Sequence, residues 1–179
     1  MMKKGEFRIA IVILTVIFTV AILFGGYSAY KVYAIEKPVK AQLSSLQSVS
    51  HVTVDKEKKT YGISMKLESV DNLQSVYNHI EKVLNQRFAE DAYDLQIIDN
   101  RNEKLDDFYA KLQPVIQQAA AQSEFVWLDE QLSKKCSEMQ LVYDLWVDEQ
   151  RIYIQIHDGE HYLYVIINRS DINSNSITR

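Results

Sequence analysis

Residues 151–168 read RIYIQIHDGEHYLYVIIN, two alternating runs of side chains on either side of Asp158-Gly159. Alternation of this kind marks a β-strand, whose side chains point to opposite faces in turn. Asp-Gly between two such runs is the strongest short hairpin signal. A two-residue turn at 158–159 pairs His157 with Glu160 and Tyr153 with Tyr164. One face of the hairpin then carries Ile152, Ile154, Ile156, Leu163, Val165 and Ile167, which is a core face. The other carries Tyr153, Gln155, His157, Glu160, Tyr162 and Tyr164, and a preceding strand near 139–147 adds Val142 and Trp146. Two outcomes are open for that second face. Uncovered, Trp146, Tyr153, Gln155, Tyr162 and Tyr164 form a partner-binding surface, because Tyr and Trp supply rigid contact area. Covered by a helix, they belong to a sheet buried on both sides.

Upstream of this sheet the apolar period changes from two to between three and four. Asn102 is placed to cap a long helix bearing Leu105, Phe108, Tyr109, Leu112, Val115 and Ile116, which Pro114 should kink or divide. A further helix near 123–136 aligns Phe125, Leu128, Leu132 and Cys136. Nearer the N-terminus, Val49 to Asp55 and Thr60 to Leu67 alternate as strands joined by the charged link 56–59. Asp71 is placed to cap an amphipathic helix with Leu73, Val76, Tyr77, Ile80, Val83 and Leu84 on one side. Tyr93, Leu95 and Ile97 read as one more strand, and Pro38 opens a short helix with Val39, Leu43 and Leu46 in a stripe. The fold class is therefore α+β, in the order α-β-β-α-β-α-α-β-β-β, with antiparallel hairpins packed on amphipathic helices. The two hairpins are alike enough to raise duplication, but amphipathic hairpins resemble one another in any case.

Residues 9–30 carry no charge and lie between Arg8 and Lys31. As a helix they cover roughly 33 Å, against a hydrocarbon core of about 30 Å, and predict a transmembrane span. Thr15 and Thr19 interrupt the run, with hydroxyls able to bond back to helix carbonyls. Tyr27, Tyr30 and Tyr33 follow where an interfacial aromatic belt belongs. A cleavable signal peptide would have a shorter apolar run and a small-residue cleavage site, and a retained anchor fits better. Ala21, Gly25 and Ala29, four residues apart, form a candidate helix-packing face. The expected divisions are a basic tail at 1–8, the span at 9–30 and a juxtamembrane segment at 31–48. A soluble domain at 49–168 and a disordered tail at 169–179 complete the chain. Basic residues flank the span almost equally: Lys3, Lys4 and Arg8 before it, Lys31, Lys37 and Lys40 after it. A cytoplasmic N-terminus with an extracytoplasmic domain is the expected orientation.

The chain's formal charge is −4, and residues 1–35 contribute four basic residues against one Glu. The remainder is thus more acidic than the whole, which argues against nucleic acid. A single cysteine, Cys136, rules out an intrachain disulfide and reads as a small buried hydrophobe. The soluble part has few glycines, Gly62 and Gly159, and no phosphate-cradling loop. His157 and His161 are spaced as zinc ligands on a helix, but across a hairpin they face opposite sides. The acids Glu90, Asp91, Asp94, Asp99, Glu103, Asp106 and Asp107 lack an EF-hand's pattern and read as loop and helix-start charge. No catalytic set, cofactor or metal is expected. The leading expectation is a single-pass bacterial envelope protein, held in the bilayer through 9–30. Its domain would bind a membrane or envelope protein, or a second copy of itself. A membrane-tethered sensory or regulatory domain binding a small ligand is the alternative.

Overall fold

A computed structural model describes residues 4–31, 33, 36–46, 48–57, 60–89 and 92–170, without the side chains of 4–11, 27–29, 31 and 57. The fold is mixed α+β, with five helices and two small sheets among the described residues. In chain order these are α1 (Lys4–Lys31), α2 (Lys37–Ser44), β1 (Val49–Glu57), β2 (Thr60–Leu67), α3 (Leu73–Asn85) and β3 (Tyr93–Ile98). They are followed by α4 (Glu103–Gln122), α5 (Phe125–Met139), β4 (Val142–Val147), β5 (Arg151–Asp158) and β6 (His161–Asn168). Residues 1–3 and 171–179, and the acids Glu90 and Asp91, lie outside the described residues.

The first sheet has the order β1-β2-β3. β1 and β2 form the expected antiparallel hairpin, with Glu57 opposite Thr60 and a bulge between Val49 and His51. β3 is different: it runs parallel to β2, with Tyr61 beside Tyr93 and Met65 beside Ile97. The reason is α3, which carries the chain back along the length of β2 so that β3 starts at the same end. Antiparallel hairpins are thus only part of the architecture. Asn72, not Asp71, caps α3, its side chain accepting from the Ser75 N–H at 2.8 Å. Tyr61, Ile63, Met65 and Leu67 turn inward onto Leu73, Ile80 and Leu84 of α3. Val39 and Leu43 of α2, both fully buried, join the same cluster, so this short helix is part of the core.

The second sheet is the antiparallel meander β4-β5-β6. Its isoleucine face packs on α4 and α5 through Leu105, Phe108, Leu112, Ile116, Leu128 and Leu132. α4 starts at the Asn102 cap, which accepts from the Leu105 N–H at 2.9 Å, and runs undivided through Pro114. The break between α4 and α5 falls at Ser123, in the left-handed region at φ 57, and α5 stops at Gln140, φ 54. The shared clusters give four layers: first sheet, α2 with α3, second sheet, α4 with α5.

α1 extends over 28 residues. Thr19 Oγ1 bonds back to the Thr15 carbonyl at 2.8 Å, as the sequence suggests. Side chains from the apolar run are described only for 12–26 and Tyr30, a stretch shorter than the roughly 20 residues a span requires. Among the described residues no helix is long and apolar enough to cross a membrane.

Candidate functional site

The face of the second sheet opposite the isoleucines carries the candidate site residues. Alternation along β4, β5 and β6 puts Val142, Asp144 and Trp146, then Tyr153, Gln155 and His157, then Tyr162, Tyr164 and Ile166 on it. The cross-strand register differs from that read from Asp-Gly. Asp158 pairs with His161, His157 with Tyr162, Gln155 with Tyr164 and Tyr153 with Ile166. The turn is therefore Gly159-Glu160, with Gly159 at φ +63. Glycine at the first central position suits a type II′ turn, whereas a turn at 158–159 of type I′ would also force Asp158 into positive φ. The two registers differ by two residues, so every side chain keeps its face. His157 and His161 do lie on opposite sides of the sheet. Among the described residues no group of three His, Cys, Asp or Glu is gathered that could hold a metal ion.

The aromatic face is not a free surface. Tyr153, Gln155, Tyr162 and Tyr164 are buried and Trp146 is half-buried against the same core as the first sheet. What covers them is α3 and the connection between β2 and α3. Tyr77 of α3 meets Tyr153 edge-on, with ring centroids 5.8 Å apart. The Tyr153 hydroxyl lies 3.0 Å from both Asn78 Oδ1 and Asp148 Oδ2. Arg151 donates to both oxygens of Glu81, at 2.7 and 2.6 Å, and its guanidinium lies over the Tyr77 ring. Of the two outcomes open at the sequence level, the covered one holds, and the partner-binding assignment of these five residues is withdrawn. The polar atoms of Tyr153, Gln155, Tyr162 and Tyr164 hold the protein's own layers together.

The connection at 67–73 is gripped by three side chains of the second sheet. Tyr162 donates to the Leu67 carbonyl at 2.9 Å. Tyr164 donates to the Glu68 carbonyl at 2.9 Å and accepts from the Val70 N–H at 3.0 Å. Gln155 donates to the Val70 carbonyl at 2.6 Å and accepts from the Leu73 N–H at 3.1 Å. Burial, helped by Glu81, pushes the Tyr77 phenol up to about 12. Burial likewise raises Tyr164, though the Val70 N–H works the other way, and it raises Tyr162 and Tyr153. These phenols stay protonated, and those of Tyr153, Tyr162 and Tyr164 act as donors.

Two carboxylates complete the joint. Asp148 sits in the turn between β4 and β5, accepting from the N–H groups of Gln150 and Arg151 and from Gln74 on α3. Asp99, just after β3, accepts from the Tyr164 N–H at 2.9 Å and is forked by Arg101 at 2.8 and 2.7 Å. Its oxygen thus stands in for a strand carbonyl along β6, beside the Asn100–Tyr162 bridge. Glu103 and Asp106 lie in the first turn of α4, where acids favour the helix dipole. Cys136 is buried, and loss of hydration pushes its thiol up to about 11, which makes it a poor nucleophile.

On α1, Ala21 and Gly25 are exposed, and a Cβ at Gly25 would meet nothing within 4 Å. The side chain of Ala29, the third member of that candidate packing face, lies outside the described residues. The joint built by Gln155, Tyr162 and Tyr164 has one sequence signal, a lone glutamine inside an aromatic row. That glutamine announces a polar partner without naming it. No protein-family profile matches the chain, and no curated protein and no solved structure is found to resemble it.

Proposed function

We propose that residues 9–30 anchor the chain in a bilayer, and that the layered α+β domain is a protein-interaction module at the cell envelope. The observation that carries this reading is the exterior of α1. From Val12 to Phe24 its apolar side chains are exposed all round, Phe24 to 75 %. An exterior of this kind, without a charged side chain over these residues, is favoured in lipid and costly in water. Tyr30 and Tyr33 are exposed beyond it, and the Lys37 ammonium lies 4.0 Å from the Tyr33 ring centroid, an arrangement suited to the headgroup region. Ala21, Gly25 and Ala29 are the face through which two such helices would pack.

For the domain, support comes from the outer side of the first sheet. Asp55, Lys66, Asp94 and Gln96 are exposed there, Thr53 and Ser64 half-exposed, and β1 is an edge strand. A polar sheet face beside an open edge suits a protein partner or a second copy of the chain. Orientation follows the commoner arrangement, N-terminus cytoplasmic and domain extracytoplasmic. Crosslinking in native membranes, read by mass spectrometry after alkaline extraction, tests both parts. The reading requires the chain to stay in the membrane pellet and to give a reproducible neighbour or self-crosslink through the first sheet. Release into the soluble fraction would sink the anchor. Retention without any crosslink through the first sheet would sink the interaction module alone.

A further inference from the structure

The amide of Gln155 has no freedom to turn over. Its oxygen accepts from the Leu73 N–H and its nitrogen donates to the Val70 carbonyl, and reversing it would set donor against donor and acceptor against acceptor. The second hydrogen on that nitrogen is directed to His157 Nε2, 2.8 Å away. Nε2 must therefore offer a lone pair, which puts the proton of the neutral ring on Nδ1. Gln155 is 2 % exposed, so the hydrogen it would lose to His157 has no water to turn to. His157 itself is half-exposed and open to protons from solvent.

We infer that His157 is a proton-operated latch on the joint between the two sheets. Neutral, it accepts from Gln155 and holds the 67–73 connection docked. Protonated, it becomes a donor, the bond to Gln155 is lost and the connection loosens. Acid acts on this contact directly, because a protonated Nε2 has no lone pair to offer Gln155.

The ionisable groups on the elements round the ring are few. β4 presents Val142 opposite it, with Asp144 further along that face. β6 presents Tyr162, its hydroxyl committed to Leu67, with ring centroids 6.3 Å apart. The connection carries Glu68 and Asp71, and Glu68 and Asp99 both act on the Tyr162 phenol. Asp148 and Asp158 are both held below the ordinary carboxylate value, by hydrogen bonds that at Asp148 overcome burial and at Asp158 come from Lys104 and Asn102. Neither changes charge in the range where imidazoles titrate. His161, on the opposite face, contacts the Asn100 carbonyl and not this joint.

Hydrogen exchange of the full chain in detergent micelles, corrected for intrinsic rates, tests the latch at about pH 7.5 and about pH 5.5. In the unaltered protein, amides of 67–73 should exchange roughly tenfold faster at the lower pH, the scale set by leaving one buried donor unpaired. In His157→Gln, whose carbonyl oxygen accepts without titrating, that acceleration should vanish. Equal protection at both pH values in the unaltered protein would overturn the proposal, as would an undiminished acceleration in His157→Gln. Nitrogen-15 spectra of histidine-labelled unaltered protein test the same point without a substitution. They should show Nε2 of His157 unprotonated and Nδ1 protonated at neutral pH, and the opposite tautomer overturns the latch.

Discussion

Asp148 shows how one carboxylate can serve two layers at once. Burial alone would raise its pKa, but hydrogen bonds from Arg151, Gln150, Gln74 and Tyr153 outweigh this and hold it below the ordinary value. A carboxyl lowered in the folded state stabilises fully above its unfolded value, about 3.9, and loses that contribution as pH falls through the folded value. Asp148→Asn should therefore cost about 2 kcal/mol in urea unfolding at neutral pH, the scale of charged hydrogen bonds. It should also flatten the loss of stability below about pH 4. An Asn variant with unchanged midpoints and an unchanged acid limb would show that Asp148 is not the joint's anchor. At this scale the sequence was informative about which face a side chain takes and silent about its partner. Gln155 falls on the tyrosine face by alternation alone, and the misplaced turn does not alter that because a two-residue slip preserves parity. That its amide would meet the backbone of 67–73 depends on residues more than eighty positions away.

Among the elements, α2 and the helix ends are the most instructive. Read alone, residues 37–44 are a short helix with a thin apolar stripe, easily taken for a juxtamembrane spacer. The fold buries Val39 and Leu43 completely beside β1 and α3. Leu43→Ala should cost about 3 kcal/mol, as for a fully buried leucine. A spacer helix would lose less than about 0.5 kcal/mol, so a denaturant titration separates the two. Gln140 ends α5 in the left-handed region, where a side chain is strained and glycine is not. Gln140→Gly should raise stability by about 0.5–1 kcal/mol and the melting temperature by about 2 °C. A fall on this substitution would mean that the Gln140 side chain holds the helix end. The parallel pairing of β3 was legible in principle, because strand-helix-strand is the pattern of a crossover. It escaped because the strong β1-β2 hairpin signal suggests that neighbouring strands are antiparallel throughout.

Across the whole molecule, two cores share one sheet. Trp146 packs against the core of the first sheet, and Trp127 against the core formed with α4 and α5. The tyrosine face belongs to the first core and the isoleucine face to the second, so neither core is complete without β5 and β6. The domain should unfold as one unit. Trp127→Phe and Trp146→Phe leave one fluorescent reporter each, and their denaturation midpoints should coincide once corrected for each variant's stability. Separate transitions would show that the layers are independent domains. The element order and both apolar faces of the second sheet could be read from periodicity. The stacking of four layers could not, since it depends on which of two amphipathic surfaces meets which.

Between the end of α1 at Lys31 and the start of α2 at Lys37 there is very little chain. The intervening residues reach about 17 Å when fully extended. With α1 in a bilayer, as proposed, the domain cannot roam on a tether. Because α2 is locked into the core, a membrane helix at 9–30 would hold the body of the domain within that short reach of the bilayer. Encounters would become a two-dimensional search by an object that already faces one way, so orientational freedom is largely surrendered before a partner arrives. Lengthening the link with a flexible insert should then slow capture without weakening the contact itself.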